Sequence, residues 1–263
     1  MHDLTLNPRI VEIRQNVLKK NDLLARELRK RFQSVGVYVV NLVSSPGAGK
    51  TTLLTEVLTR LGKRYRTAAL VGDLATENDA DRLRQSGAKV RQITTGTVCH
   101  LEAEMIERTL QDWELETFDF LFIENVGNLV CPASYDLGEN QRVVLFSVTE
   151  GEDKPVKYPT IVNSADTAII TKIDLAEAVD FQRKRFYEAL NEVRPGIRIH
   201  EVSARTGEGI DEWISQLEAD KSAFIHSSGS LSRKFKGGKT QKKDGGMCST
   251  SYWYIVENRG YAV

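Results

Sequence analysis

The stretch "TGTVCHLEA", residues 95–103, sets a thiol beside an imidazole at Cys99 and His100, in a chain with only three cysteines and four histidines. A free cysteine often packs as a small hydrophobe. Thiolate and imidazole together also make good ligands for a borderline-soft metal ion. Two donors do not fill a coordination shell, but a third, Cys131, follows in "NVGNLVCPASYDLGE". Cys99, His100 and Cys131 form a set suited to Ni²⁺ or Zn²⁺, with water or a second copy of the chain completing the shell.

A second chemistry lies upstream. "SSPGAGKTT", residues 44–52, has the spacing of a phosphate-binding P-loop that ends in Gly49-Lys50-Thr51. Gly47, Ala48 and Gly49 let backbone N–H groups turn around a β-phosphate at the start of a helix, and Thr52 continues that turn. Lys50 supplies charge to the β- and γ-oxygens, and the Thr51 hydroxyl is a candidate Mg²⁺ ligand. Ser44 replaces the glycine that usually opens the pattern, at a strand end where any small residue fits.

The base is read further along. "TKID" at 171–174 and "SAR" at 203–205 each follow an apolar run and have the order of guanine-reading elements. Asp174 can accept from both N–H donors of the guanine edge, which adenine does not offer. Lys172 can lie along the base, the Ala204 N–H can donate to the guanine oxygen, and Ser203 beside it is a further nucleotide-binding candidate. Thr171 stands where an asparagine is usual. Two carboxylates end apolar runs, Asp73 in "VGD" and Glu124 in "FIENVG", where enzymes of this chemistry anchor Mg²⁺. Asp73 also reads as a helix cap, and the catalytic reading is preferred because of the P-loop. Gly127 places an N–H where a γ-phosphate would lie. Asn128 follows it, where many GTPases carry a water-orienting glutamine. GTP and GDP with Mg²⁺ are the expected ligands.

These residues need a scaffold, and its signals are regular. Apolar runs at 37–43, 67–71, 118–124, 141–148, 167–171 and 196–202 read as buried strands, with a short one at 90–93. Helical stretches fall near 50–62, 78–86, 101–112, 175–191 and 208–225. Strand–helix alternation with near-continuous apolar strands predicts an α/β P-loop NTPase, a doubly wound, mostly parallel sheet. Upstream, Asn7 as N-cap and Pro8 at the first helical position open one or two amphipathic helices carrying Ile10, Ile13, Val17, Leu24 and Leu28. The expected organisation is an N-terminal helical segment at 1–35, a G domain at 36–226 and a basic tail at 227–263. That tail, with seven basic against two acidic residues and little to bury, is expected to be disordered.

At 263 residues with 36 basic and 36 acidic side chains, bulk charge makes no case for nucleic acid or membrane binding. Few cysteines, a charged N-terminus and no long apolar run predict a soluble cytoplasmic protein.

Together the motifs make the chain similar to the hydrogenase nickel-insertion accessory GTPases, the HypB family. The resemblance runs from about Val39 to Leu217, and is most specific in "TGTVCHLEA", "IENVGNLVCPASYDLGE" and "SVTEGEDKPVKYP". It implies that Cys99, His100 and Cys131 are the metal site of the G domain near a dimer interface. It also implies nickel delivery to the large subunit of [NiFe]-hydrogenase alongside a HypA-type metallochaperone. Many members carry an N-terminal cysteine motif or histidine run, whereas residues 1–36 here hold no Cys and only His2. The G-domain site is therefore expected to serve alone. Rival readings are the sister urease nickel-insertion GTPases, a non-enzymatic metal-binding module, and a regulatory GTPase with structural cysteines.

Overall fold

The computed structural model describes residues 8–73 and 78–236. Seven strands form one sheet in which every pairing is parallel. They are β1 (Tyr38–Ser44), β2 (Thr67–Asp73), β3 (Lys89–Thr94), β4 (Phe120–Glu124), β5 (Gln141–Ser147), β6 (Thr167–Thr171) and β7 (Arg198–Val202), in the order β3-β2-β4-β1-β5-β6-β7. All seven apolar runs became strands. The central ones are buried along their whole length, because helices cover both faces.

Side chains leave β1 alternately. Tyr38, Val40 and Leu42 meet the layer of α2 (Lys50–Leu61) and α8 (Ile210–Lys236), where Leu54, Val57, Leu58, Trp213 and Leu217 are buried. Val37 and Val39 face a second layer, of α1 (Pro8–Val35) and α4 (Ala103–Thr109). Val43 faces a third cluster, with α6 (Pro159–Ser164) and α7 (Arg183–Val193).

The N-terminal segment is a single helix of 28 residues, and it belongs to the core. Ala25, Leu28 and Phe32 are at most 2 % exposed against α4 and the sheet. Burying side chains of the size of Leu28 and Phe32 contributes about 1.5–3 kcal/mol each. Asn21 fastens the same helix to the start of α4 and to the loop at Asp136: its Oδ1 accepts from Ala103 N at 2.8 Å, and its Nδ2 donates to the Asp136 carbonyl at 2.8 Å. Ala103 opens α4, so a neighbouring helix satisfies an N–H that α4's own N-cap, Glu102, leaves without a side-chain partner.

Four expectations need correction. α3 (Asn78–Arg84) and α4 are shorter than expected. Residues 175–182 are not part of α7, which begins at Arg183; the left-handed Asp180 interrupts any continuous helix. Two short helices, α5 (Lys154–Lys157) and α6, fill a stretch that gave no helical signal. α8 runs through 227–236, where irregular chain was expected. Asn7, His2 and residues 237–263, the remainder of the expected tail, lie outside the described residues.

Candidate functional site: two nucleotide cavities and a sulfur–imidazole cluster

The C-terminal ends of parallel strands share one rim, where ligands bind in open α/β sheets. β1 ends at Ser44 and feeds the P-loop, and α2 begins at Lys50. Gly47 and Gly49 have φ of 75° and 94°. In that left-handed region glycine alone avoids a Cβ penalty, so the loop can turn its N–H groups inward. Lys50 is 8 % exposed and donates to Ser44 Oγ at 2.8 Å, so the serine at the unusual position steadies the lysine. Burial pulls the Lys50 pKa below its ordinary value, while Glu124 pulls the other way.

Glu124 closes the opposite wall. Its Oε1 accepts from Thr51 Oγ1 at 2.6 Å, and its Oε2 is buried with no hydrogen-bond partner. Burial pushes the carboxyl up to about 7, against the pull of Lys50 and Thr51. A buried oxygen without a partner costs free energy unless a cation or donor arrives. Thr51, Glu124 and Asp73 therefore fit a Mg²⁺ ion.

These groups line a cavity of about 520 Å³ with Gly47, Gly49, Thr52, Gly127 and Lys172. A Cβ on Gly127 would stand 3.0 Å from Pro46 Cα, so a side chain there would strike the P-loop. Sequence reasoning missed Asp79 and Arg82, which enter the same cavity from α3. No motif marks them, since only the packing of Ala80 and Leu83 turns that helix face inward.

A cavity of about 200 Å³ adjoins the first, sharing Gly49, Thr52 and Lys172, and is lined by Thr171, Asp174, Ala204 and Arg205. Lys172 has φ of 59° and donates to the Gly47 carbonyl at 2.7 Å, laying its stem across the P-loop. Thr171 Oγ1 donates to the Ala48 carbonyl at 2.6 Å, so threonine supplies a side-chain tie between this strand end and the P-loop. Ala48 itself is buried. Ser203 is fully buried and does not line the cavity; its hydroxyl donates to Asp174 Oδ1 at 2.6 Å and so orients the carboxylate.

The third group stands beside the phosphate cavity. Donor atoms of Cys99, His100 and Cys131 all lie within 4.8 Å of one another. The two Sγ atoms are 2.7 Å apart, and the Cys131 thiol holds the Cys99 pKa above its ordinary value. His100 Nδ1 lies 4.0 Å from Cys99 Sγ, while Nε2 lies 3.3 Å from Glu102 Oε1. The ring lies against Tyr135 with centroids 3.9 Å apart. A carboxylate on the far nitrogen is the usual way a ligating imidazole is oriented. Sequence reasoning missed Glu102 and Tyr135 because nothing in their spacing shows who faces the ring.

Asn125 and Asn128 join the cluster to the nucleotide wall. Asn125 Oδ1 accepts from Leu101 N at 3.2 Å. Asn128 Nδ2 donates to the Cys99 carbonyl at 3.2 Å, and its Oδ1 accepts from Val130 N at 2.8 Å. The side chain in the position of a water-orienting glutamine is thus occupied by the cysteine loop.

A P-loop with an adjoining cavity lined by Lys172 and Asp174, and a cysteine–histidine cluster set between the loops after β3 and β4, defines the class: a P-loop nucleotide hydrolase with a candidate metal site. The family model "CobW/HypB/UreG, nucleotide-binding domain" matches residues 38–201. The hydrogenase maturation factor HypB of Escherichia coli K12 is 47 % identical over 215 residues, 82 % of this chain and 74 % of that protein. The hydrogenase/urease maturation factor HypB of Helicobacter pylori 26695 is 43 % identical, over 81 % of this chain and 88 % of its own. A crystal structure of Helicobacter pylori HypB in complex with nickel superposes with a TM-score of 0.73 at 45 % identity, covering 78 % of this chain and 96 % of that one. HypB from Archaeoglobus fulgidus superposes with a TM-score of 0.72 at 39 % identity, covering 77 % and 99 %. The chain belongs to the HypB family of hydrogenase maturation factors, and it is a P-loop GTPase. Among the described residues, no helix is long and apolar enough to cross a membrane.

Proposed function

We propose that this chain is a GTP-switched nickel donor, with Cys99, His100 and Cys131 as the cargo site. One observation supports the reading most: the three donors converge within 4.8 Å on loops tied to the wall of the phosphate cavity. Thiolate and imidazole donors suit nickel and zinc alike, so zinc competes for the same site. Three donors from one chain leave an open position, which a two-fold partner fills in a homodimer. A HypA-type metallochaperone and the hydrogenase large subunit are the proposed donor and acceptor partners. The name of the Helicobacter relative supports a second acceptor, urease.

In hydrolysis, the N–H groups from Gly47 to Thr52 and the Lys50 ammonium hold the β- and γ-phosphates in line for attack by water. Asp174, braced by Ser203, selects guanine, while Lys172 and Ala204 border the base. Thr51, Asp73 and Glu124 would hold Mg²⁺, which would neutralise charge on the phosphate oxygens. Gly127 N–H meets the γ-phosphate, so loss of that group releases the segment leading to Asn128 and Cys131. Coupling of this kind is reciprocal and typically about 5- to 150-fold.

Nickel and zinc titrations of the apo, GDP and non-hydrolysable GTP forms, with mass measured in each, test the reading. The expected result is one cluster per chain whose affinity changes with the γ-phosphate. Equal affinity in all states would leave a GTPase with a metal site but no switch.

A further inference from the structure

We propose that Arg82 is the catalytic arginine of this GTPase, supplied in cis from α3. It rests on the reading of the larger cavity as the site of the GTP phosphates. Arg82 lines that cavity, and its Nη2 donates to Thr52 Oγ1 at 3.0 Å. Thr52 lies in the first turn of α2, whose N–H groups face the phosphates. Its half-exposed guanidinium therefore sits at the positive end of a helix dipole, in the cavity that also holds the buried Lys50. A cation is disfavoured there unless an anion is shared. Asp79, one turn earlier on α3, is 4.0 Å away and half-exposed, and so screens little of that charge. A polyphosphate supplies the missing negative charge.

Ala80 and Leu83 are fully buried, which fixes the face of α3 that carries Asp79 and Arg82. The other two cations of the cavity are lysine ammoniums: Lys50, held by Ser44 at the P-loop, and Lys172, held by the Gly47 carbonyl on the base side. Among the described residues, Arg82 is the guanidinium that lines this cavity. Its planar fork reaches two phosphate oxygens at once, which a lysine ammonium does not.

In the step itself, the oxygen of water bonds to the γ-phosphorus while the bond to the β–γ bridging oxygen breaks. The electron pair stays on the β-phosphate of GDP, and the protons of water leave with inorganic phosphate and solvent. Arg82 is not consumed. Its N–H donors leave Thr52 for the bridging and γ-oxygens as charge moves onto them.

Single-turnover GTP hydrolysis, GDP affinity and capture of a GDP–fluoroaluminate complex test this in the full chain, as parent, Arg82→Ala and Arg82→Lys. The expected result is an approximately 100-fold slower step in Arg82→Ala, the scale for losing one transition-state donor. GDP affinity should stay close to that of the parent, fluoroaluminate capture should be lost, and Arg82→Lys should recover only part of the rate. GDP affinity doubles as the check that each variant is folded, and Arg82→Lys keeps the test open should Arg82→Ala unfold. Mixing Arg82→Ala with Lys50→Ala should restore nothing; recovery would show an arginine given in trans and overturn the assignment. Turnover equal to an active parent overturns it, as does loss of GTP and GDP affinity together with turnover intact at saturation. A parent chain inactive toward GTP would instead overturn the nucleotide reading beneath it.

Discussion

The nucleotide cavities and the sulfur–imidazole cluster share a wall, yet their construction differs. Lys50 and Thr51 are each 8 % exposed at the joint of a core strand and a 12-residue helix. Their partners, Ser44 and Glu124, stand at the ends of adjacent parallel strands. Cys99, His100 and Cys131 are only half-buried, and the bonds that place them run from loop to loop. The phosphate end is held by the whole sheet, so its geometry exists before any ligand arrives. The cluster is held by a few amides, so its geometry can follow the state of its neighbour. Loops on a rigid scaffold are where such motion is affordable.

The sharpest difference should lie in the base pocket, where the rigid end reads a hydrogen-bond pattern. Asp174→Asn should reverse the preference for GTP over xanthosine triphosphate, because the amide donates where xanthine offers a carbonyl. Sites built to pair a buried polar edge discriminate by on the order of 10⁴-fold. Competition between the two triphosphates in hydrolysis measures it. A variant that ranks them as the parent does would show that the 200 Å³ cavity is not the base site.

A smaller effect should appear at the soft end. Cys99→Ala should remove most metal binding. Cys131→Ala should chiefly erase the dependence of metal affinity on nucleotide, the roughly 5- to 150-fold typical of coupled sites. Isothermal titration with nickel in the GDP and GTP-analogue states reads both. If Cys131→Ala keeps the nucleotide dependence, the switch runs through the 99–102 loop instead.

The two ends were also unequally legible in the sequence. The P-loop could be read because its chemistry lies within nine consecutive residues, flanked by a strand and a helix. The five inner strands could be read because parallel strands covered on both faces are continuously apolar, while the edge strands β3 and β7 are mixed in sequence and only partly buried. Cys99, His100 and Cys131 were legible by type and rarity, although only the fold brings Cys131 across to Cys99. Arg82, Glu102 and Tyr135 were not legible, since each acquires its role from what the tertiary structure sets opposite it. Ser203 and Asn128 were placed on the right loops, but Ser203 braces Asp174 and Asn128 grips Cys99. α5 and α6 escaped because "KPVKYPTIVNS" holds two prolines and fewer than two turns per helix, too short for a 3.6-residue repeat to show.

Acidity offers a third comparison, because one buried carboxylate belongs to the rigid end alone. Burial pushes Glu124 up to about 7, so it is neutral below that value and ionised above it. A neutral carboxyl is a poor Mg²⁺ ligand. At limiting Mg²⁺, kcat/KM for GTP should therefore fall with acidity, by roughly fivefold from pH 7 to pH 6. Excess Mg²⁺ should move the midpoint downward, since the ion competes with the proton. A flat profile at limiting Mg²⁺ would remove Glu124 from metal binding.

The finest test separates the two ends at the amide that joins them. Asn128 occupies the place of a water-orienting side chain, yet its Nδ2 is spent on the Cys99 carbonyl and its Oδ1 on Val130 N. If that is its work, Asn128→Ala should leave GTP turnover nearly unchanged and loosen the loop carrying Cys99. A hydrogen bond contributes about 1 kcal/mol net, so the ratio of metal affinities between nucleotide states should shrink by about fivefold. Asn128→Asp tests the same bond differently: the carboxylate still accepts from Val130 N but cannot donate to Cys99, so it should lose the coupling as the alanine does. Single-turnover hydrolysis beside nickel titration in both nucleotide states reads the two effects separately. A collapse of turnover with coupling intact would place Asn128 at the attacking water. A collapse of both would mean that the rigid and the adaptable ends are not separable at this residue.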